Sequence, residues 1–147
     1  MLILNIVLGA FVALELSNVL TLYFNPAFKR ANGIGIFNAW SASKKDPSVH
    51  RLVQYLVYWV AGTKLIFLAL LCAILLFAGP VLKMVATIVL ALSVASFYWK
   101  MYPLVRTMDR KGEIAPKGYS KTLGVMIAVF IGVFTVAVVV ASLFYNN

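Results

Sequence analysis

Residues 52–78 read LVQYLVYWVAGTKLIFLALLCAILLFA. The stretch exceeds the ~20 apolar residues that a helix needs to cross the ~30 Å hydrocarbon core of a bilayer. It holds a single charged side chain, Lys64. An ammonium at the centre of a membrane helix costs ~2.5–3.5 kcal/mol on insertion scales, so it calls for a partner, a route to the surface or a functional reason. Glu15 is the only acidic residue in any apolar segment of the chain and is the natural counter-charge.

The composition agrees with a lipid-embedded chain. Of 147 residues, 63% are hydrophobic and 12% charged, with a mean hydropathy of +0.97. That charged share is half the roughly 25% of a soluble domain, and the length allows one compact unit. Cys72 is the only cysteine and His50 the only histidine. An intrachain disulfide and a Cys/His zinc cluster are therefore excluded. The net charge of +9 flanks apolar segments and forms no basic domain of the kind that binds nucleic acid. No nucleic-acid partner is expected.

Working outward from the Lys64 segment, the sequence predicts an all-α integral membrane protein, a bundle of four transmembrane helices forming a single domain over residues 1–147. The spans are 2–24, 52–78, 81–102 and 122–144, and the loops between them are 25–51 and 103–121. The first segment has no basic stretch before it and no A-x-A site after it, so it reads as a retained span and not a signal peptide. Asn25-Pro26 ends it, because the residue before proline is pushed out of the α region. Asp46-Pro47 reads as a helix start, an N-cap carboxylate followed by proline at the first helical position. Ala78-Gly79-Pro80 is a tight turn that makes the second and third spans an antiparallel hairpin, and Pro103 reads as the end of the third. Lys83, one turn into that span, reads as a snorkelling lysine.

The loops carry weaker signals. Ile34, Ile36, Phe37 and Trp40 suggest a short interfacial helix in the first loop. Gly33-Ile34-Gly35 lacks the strand and third glycine of a nucleotide fingerprint and reads as a flexible turn. Gly112, Pro116 and Gly118 predict an irregular second loop, with Asp109 and Glu113 solvated within it.

The two loops and their edges hold Lys29, Arg30, Lys44, Lys45, Arg51, Lys100, Arg106, Arg110, Lys111, Lys117 and Lys121, leaving only Lys64 and Lys83 elsewhere. Four spans place both loops on one side, and the positive-inside rule makes that side cytoplasmic, with both termini outside. All Trp and Tyr except Tyr145 fall in or near the same half, as an aromatic belt would. The expected location is the cell membrane, inner or plasma. Arg106, Arg110, Lys111, Lys117 and Lys121 form the densest basic group and are expected to contact anionic lipid headgroups.

Small residues four apart mark close helix approach in lipid. Such rows occur at Gly9, Ala13 and Ser17; at Ala69 and Ala73; at Thr87, Ala91 and Ala95; and at Gly124, Ala128 and Gly132. They predict helix packing within the bundle or between protomers. Depth also brings Glu15 and Lys64 together. Glu15 lies ~13 Å from the Phe24 end, and Lys64 ~18 Å beyond Leu52. Side chains lean toward the helix N-terminus, which lowers the ammonium toward the carboxylate. Asn18 shares the Glu15 face and is placed to support the pair. Two arrangements compete with pairing: Lys64 snorkels alone while Glu15 takes up a proton, or an ion or ligand sits between them.

No catalytic constellation is present, since His50 and Cys72 lie about six turns apart on one helix, and no cofactor or metal is expected. Three function classes remain. The leading one is a non-catalytic accessory or scaffolding subunit that packs against other membrane proteins. The alternatives are a small oligomeric channel or transporter using the Glu15/Lys64 pair, and a lipid-headgroup enzyme. The expected partners are the lipid bilayer with its anionic headgroups and either further copies of the chain or a larger membrane complex. The topology is directly testable. Cysteine labels introduced at Lys44 and Lys117 should react only from the cytoplasmic side, and one at Asn147 only from outside. Labelling of Lys44 and Asn147 from the same side would rule out the four-span arrangement.

Overall fold

The computed structural model describes residues 2–29 and 33–145, the side chain of Tyr145 excepted; Arg30 and Asn147 lie outside the described residues. The α-helices are α1 (Leu2–Phe24), α2 (Asn38–Ser43), α3 (Pro47–Phe77), α4 (Pro80–Ala95), α5 (Met101–Arg110) and α6 (Tyr119–Tyr145). Among the described residues there is no strand, only an isolated antiparallel bridge between Phe37 and Ile114. Helices α1, α3 and α6, and α4 with α5 taken as one, are long and apolar enough to cross a membrane.

Local chemistry sets where α3 starts and stops. Asp46 has extended backbone geometry and its Oδ1 accepts from the amides of Ser48 (2.8 Å) and Val49 (3.3 Å), with Pro47 at the first helical position. Two of the amides left unpaired at a helix start are thereby satisfied. At the other end Ala78 and Gly79 are extended, and Pro80 opens α4.

The third long helix departs from expectation. Pro103 does not end it. The regular helix stops earlier, at Ala95, passes through a 3₁₀ turn at Ser96–Tyr98, and resumes as α5 with Pro103 in its first turn. Proline is tolerated there because its missing N–H would have no intrahelical partner. The carbonyl its ring would strike in a continuous helix belongs to Trp99, where the helix is already unwound.

Packing assigns the helices differently from a simple hairpin. The extensive contacts are α1 on α3 and α4 on α6, and α1 on α6 joins the two pairs. Helices α3 and α4 follow each other in sequence but touch little. Between them lies a hollow of ≈ 240 Å³ lined by Phe67, Leu70 and Ile74 on one side and Ala86, Val89 and Ser93 on the other. The two extended residues of the turn reverse the chain without bringing these faces together.

The core runs along α1. Val19 and Leu22 pack with Val57, Ala61 and Leu68 of α3. Leu4 packs with Ala137 and Ala141 of α6. Midway, Phe11 joins Leu71, Leu90 and Phe134 in one cluster drawn from all four long helices. Its ring stands edge-on to Phe67, Phe130 and Phe134 at 6.3, 5.9 and 5.3 Å, contacts worth about 0.5–1.5 kcal/mol each beyond burial.

The two loops form a joint layer. The amides of Asn38 and Ala115 donate to Glu113 O and Ile36 O, both at 2.9 Å, and Asn38 Nδ2 donates to Gly112 O at 2.8 Å. Ile36, Val105 and Ile114 bury themselves beneath these bonds. The Gly33–Gly35 segment is not a flexible turn. The amides of Ile34 and Gly35 converge on Pro26 O at 3.0 and 3.1 Å, and a Cβ on Gly35 would strike the Ala27 carbonyl. The second loop is shorter and more ordered than the glycines suggest, because α5 runs to Arg110 and both Gly112 and Gly118 take positive φ in turns.

Asp109 is likewise not solvated. Its side chain is 7% exposed and reaches the start of α6. Oδ1 accepts from Gly118 N at 2.9 Å, and Oδ2 from Ser120 N at 2.9 Å and Ser120 Oγ at 2.6 Å. A carboxylate on free helix amides is stabilised by hydrogen bonding and by the helix dipole. The Ser120 hydroxyl foremost, then the Gly118 and Ser120 amides, holds its pKa below the ordinary 3.8. A carboxyl with a depressed folded pKa stabilises the fold above its unfolded value and loses that contribution as pH falls through the folded one. Thermal stability in detergent should therefore decline below about pH 4, and Asp109→Asn should flatten that part of the profile while lowering stability at neutral pH. An unchanged acid limb in Asp109→Asn would show that the cap does not contribute.

Candidate functional site

Glu15 and Lys64 meet. Lys64 Nζ donates to Glu15 Oε2 at 2.5 Å, joining α1 to α3 at mid-length. Asn18 Nδ2 donates to Glu15 Oε1 at 3.3 Å, so each carboxylate oxygen has a donor. Two features of the sequence produce this geometry. Phe11, Glu15 and Asn18 recur at helical spacing and share one face of α1. Lys64 projects from the side of α3 that also presents Ala61 and Leu68 to α1. The ion pair is thus one rung of a packed interface. It is not sealed: the Lys64 side chain is 30% exposed and that of Glu15 17%. Lys64 borders a hollow of ≈ 390 Å³ with Trp59, Thr63 and Phe67. The Thr63 hydroxyl is already committed to Trp59 O at 3.0 Å.

A second polar tie was not foreseen. Lys83 does not snorkel alone; its Nζ donates to Asn5 Oδ1 at 2.9 Å, linking α4 to α1. The signal was available, since both residues lie within the first turns of their segments at the same end of the bundle. Next to it Thr87 is fully buried with its hydroxyl on Lys83 O.

The small residues divide. Gly124 packs inside the chain: a Cβ there would come within 2.7 Å of the Tyr102 ring, and its carbonyl accepts from the Tyr98 hydroxyl. Ala91 packs against the central cluster, Gly9 faces Leu75, and Ala95 is half-buried. Ala13, Ala69, Ala73, Ala128 and Gly132 lie on outer surfaces, and a Cβ on Gly132 would meet nothing. Arg106, Arg110, Lys111, Lys117 and Lys121 are all exposed at the loop end.

At that same end α2 turns Trp40 inward to 6% exposure. Ser43 Oγ donates to Trp40 O at 2.8 Å and lies 2.9 Å from Nδ1 of His50. The imidazole sits 4.8 Å from the indole. His50 is therefore a packed residue joining α2 to the first turn of α3. Among the described residues no three His, Cys, Asp or Glu side chains converge.

No family model matches the chain, and neither a curated protein nor a solved structure resembles it.

The pair makes a double-mutant cycle informative. Removing one member of a buried pair leaves an uncompensated charge, typically at a cost of 3–5 kcal/mol; the partial exposure of Lys64 should reduce this. Glu15→Gln and Lys64→Met should each lower the melting temperature in detergent, and the double variant should recover much of the loss. Simple additivity would mean that the two charges do not depend on each other.

Proposed function

We propose that this chain is a non-catalytic integral membrane subunit of four spans, with both termini outside, that packs beside other membrane proteins as an accessory or scaffold. The observation that carries this reading is the closure of its intrahelical polar groups. Glu15 is satisfied by Lys64 and Asn18, and Asn5 by Lys83. The hollows between the helices are lined mainly by apolar side chains. Polar groups tied off in pairs fix an arrangement of helices, and among the described residues they leave little polar lining for a route through it.

The orientation is supported by the exposed basic residues, which crowd the loop end together with α2, here assigned to the cytoplasmic interface. Arg106, Arg110, Lys111, Lys117 and Lys121 then face anionic headgroups. The docking face is assigned to the outer side of α6, where Ala128 and Gly132 permit close backbone approach by a neighbouring helix.

A second reading, a small oligomeric channel or transporter, draws on one observation: Lys64 is partly exposed and borders a hollow with Thr63 on the outer side of α3. Assembly in native-lipid particles separates the two. A larger membrane protein retained in fixed stoichiometry, and lost in Gly132→Leu without a change in the melting temperature of the isolated chain, supports the subunit. A closed ring of identical chains supports transport and overturns the subunit reading.

A further inference from the structure

Each long helix covers nearly the same distance between the end of the bundle at the Ala78-Gly79 turn and a girdle of aromatic side chains. From Leu2 to Tyr23 α1 rises ~32 Å, from Trp59 to Phe77 α3 rises ~27 Å, and from Gly124 to Phe144 α6 rises ~30 Å. Helix α4 with its 3₁₀ turn reaches Tyr98 in ~30 Å, and Trp99 stands next. Contacts hold these marks level in pairs. The Tyr23 and Tyr58 rings stack at 6.0 Å, the Tyr98 hydroxyl donates to Gly124 O, and the Tyr102 ring packs over Gly124. The Ala78-Gly79 turn gives α3 and α4 a common start. All four lengths approximate the ~30 Å hydrocarbon core of a bilayer.

Charge and backbone chemistry divide at the same girdle. Between it and the turn end the charged residues are Glu15, Lys64 and Lys83, and each is bonded to another side chain of the bundle. Every other charged residue among the described residues lies at the girdle or beyond it. Pro103 has no N–H to give the Trp99 carbonyl, a loss that is costly in hydrocarbon and cheap among headgroups. Beyond the girdle, α5 exposes Arg106 and Arg110, which hydrocarbon accommodates poorly. It buries Val105 with Ile36 and Ile114 instead, so the loop layer has a small core of its own. At the girdle Trp59 and Trp99 are 61% and 78% exposed, and Lys100 Nζ lies 5.8 Å from the Trp99 ring. Exposed indoles with a neighbouring ammonium suit the headgroup level of a membrane.

We propose that the girdle marks where one bilayer interface crosses the chain, with the exposed indoles of Trp59 and Trp99 among the headgroups and ester carbonyls, and that α5 belongs with the loops to a folded cap on the water side. The partner is a phospholipid bilayer whose hydrocarbon core is ~30 Å thick. The third span then ends at the 3₁₀ turn and not at Arg110, and the fourth begins near Gly124 and not at Tyr119. This deepens the membrane reading above and rests on it, and the test distinguishes failure of one from failure of the other.

Variants that keep only Trp40, only Trp59 or only Trp99, with phenylalanine at the other two positions, report the depth of each. Each is reconstituted in phosphatidylcholine vesicles brominated either near the ester or near the end of the acyl chain. Trp59 and Trp99 should both be quenched several-fold more by the shallow bromines than by the deep ones, and to the same extent as each other. Trp40, which packs on His50 in the first turn of α3, should be quenched least by either. A second measurement leaves the tryptophans in place. In a Cys72→Ser background, nitroxides at the exposed Leu92 of α4 and Thr107 of α5 are compared for collision with oxygen, which partitions into hydrocarbon, and with a water-soluble nickel chelate. Oxygen should dominate at Leu92 and nickel at Thr107. Stronger deep quenching of Trp99 than of Trp59, or oxygen dominating at Thr107, would overturn the girdle and carry the third span on to Arg110. Nickel dominating at Leu92, with no quenching of any tryptophan, would overturn the membrane reading itself.

Discussion

A charge in the middle of an apolar helix is costly unless it is paired or reaches the surface, and here pairing sets where α1 lies. Lys64 has one acidic partner at its depth, and reaching it commits the Glu15 face of α1 to α3. Phe11 stands one turn away on the same face. Placing Glu15 against Lys64 therefore also places Phe11 against Phe67 and Leu71, and from there against Phe130 and Phe134 of α6. One electrostatic contact and one aromatic side chain, four residues apart, account for how α1 joins the two halves of the bundle. The pair selects the arrangement, and packing supplies most of the stability.

Much of this was legible in the sequence. Long apolar runs declare themselves by composition, the Asp46-Pro47 start by its cap chemistry, and the Glu15–Lys64 pair by elimination, since no other acid lies in an apolar segment. What escaped has identifiable physical causes. The loop layer rests on backbone bonds between Ile36–Asn38 and Gly112–Ala115, and long-range backbone pairing leaves no periodicity in either segment. Pro103 was misread because proline breaks a helix only beyond its first turn, and the position of that turn was set by unwinding at Ser96–Tyr98. Asp109 looks solvated because basic residues surround it in sequence, yet its acceptors serve amides nine and eleven residues on.

The small-residue rule was informative only in part, for a reason specific to this core. Rows of glycine and alanine mark interfaces where backbones approach closely. Here the centre is filled by phenylalanine and leucine, and close approach occurs mainly at Gly124, under Tyr98 and Tyr102. The rows at Ala128 and Gly132, and at Ala69 and Ala73, are turned outward. Small residues that do not serve the interior of a bundle are available to its neighbours, which is why the subunit reading places the partner there.

The Phe37–Ile114 bridge has a mechanical consequence for the cleft between α3 and α4. One end of the gap between the two helix pairs is closed covalently by Ala78-Gly79, and the other by hydrogen bonds between the loops. The gap is thus a buttonhole, stitched at both ends and backed at mid-length by the Phe11 cluster. Swinging the α4/α6 pair away as a door would require the loop layer, the α1–α6 contact and the Lys83–Asn5 bond to come apart together.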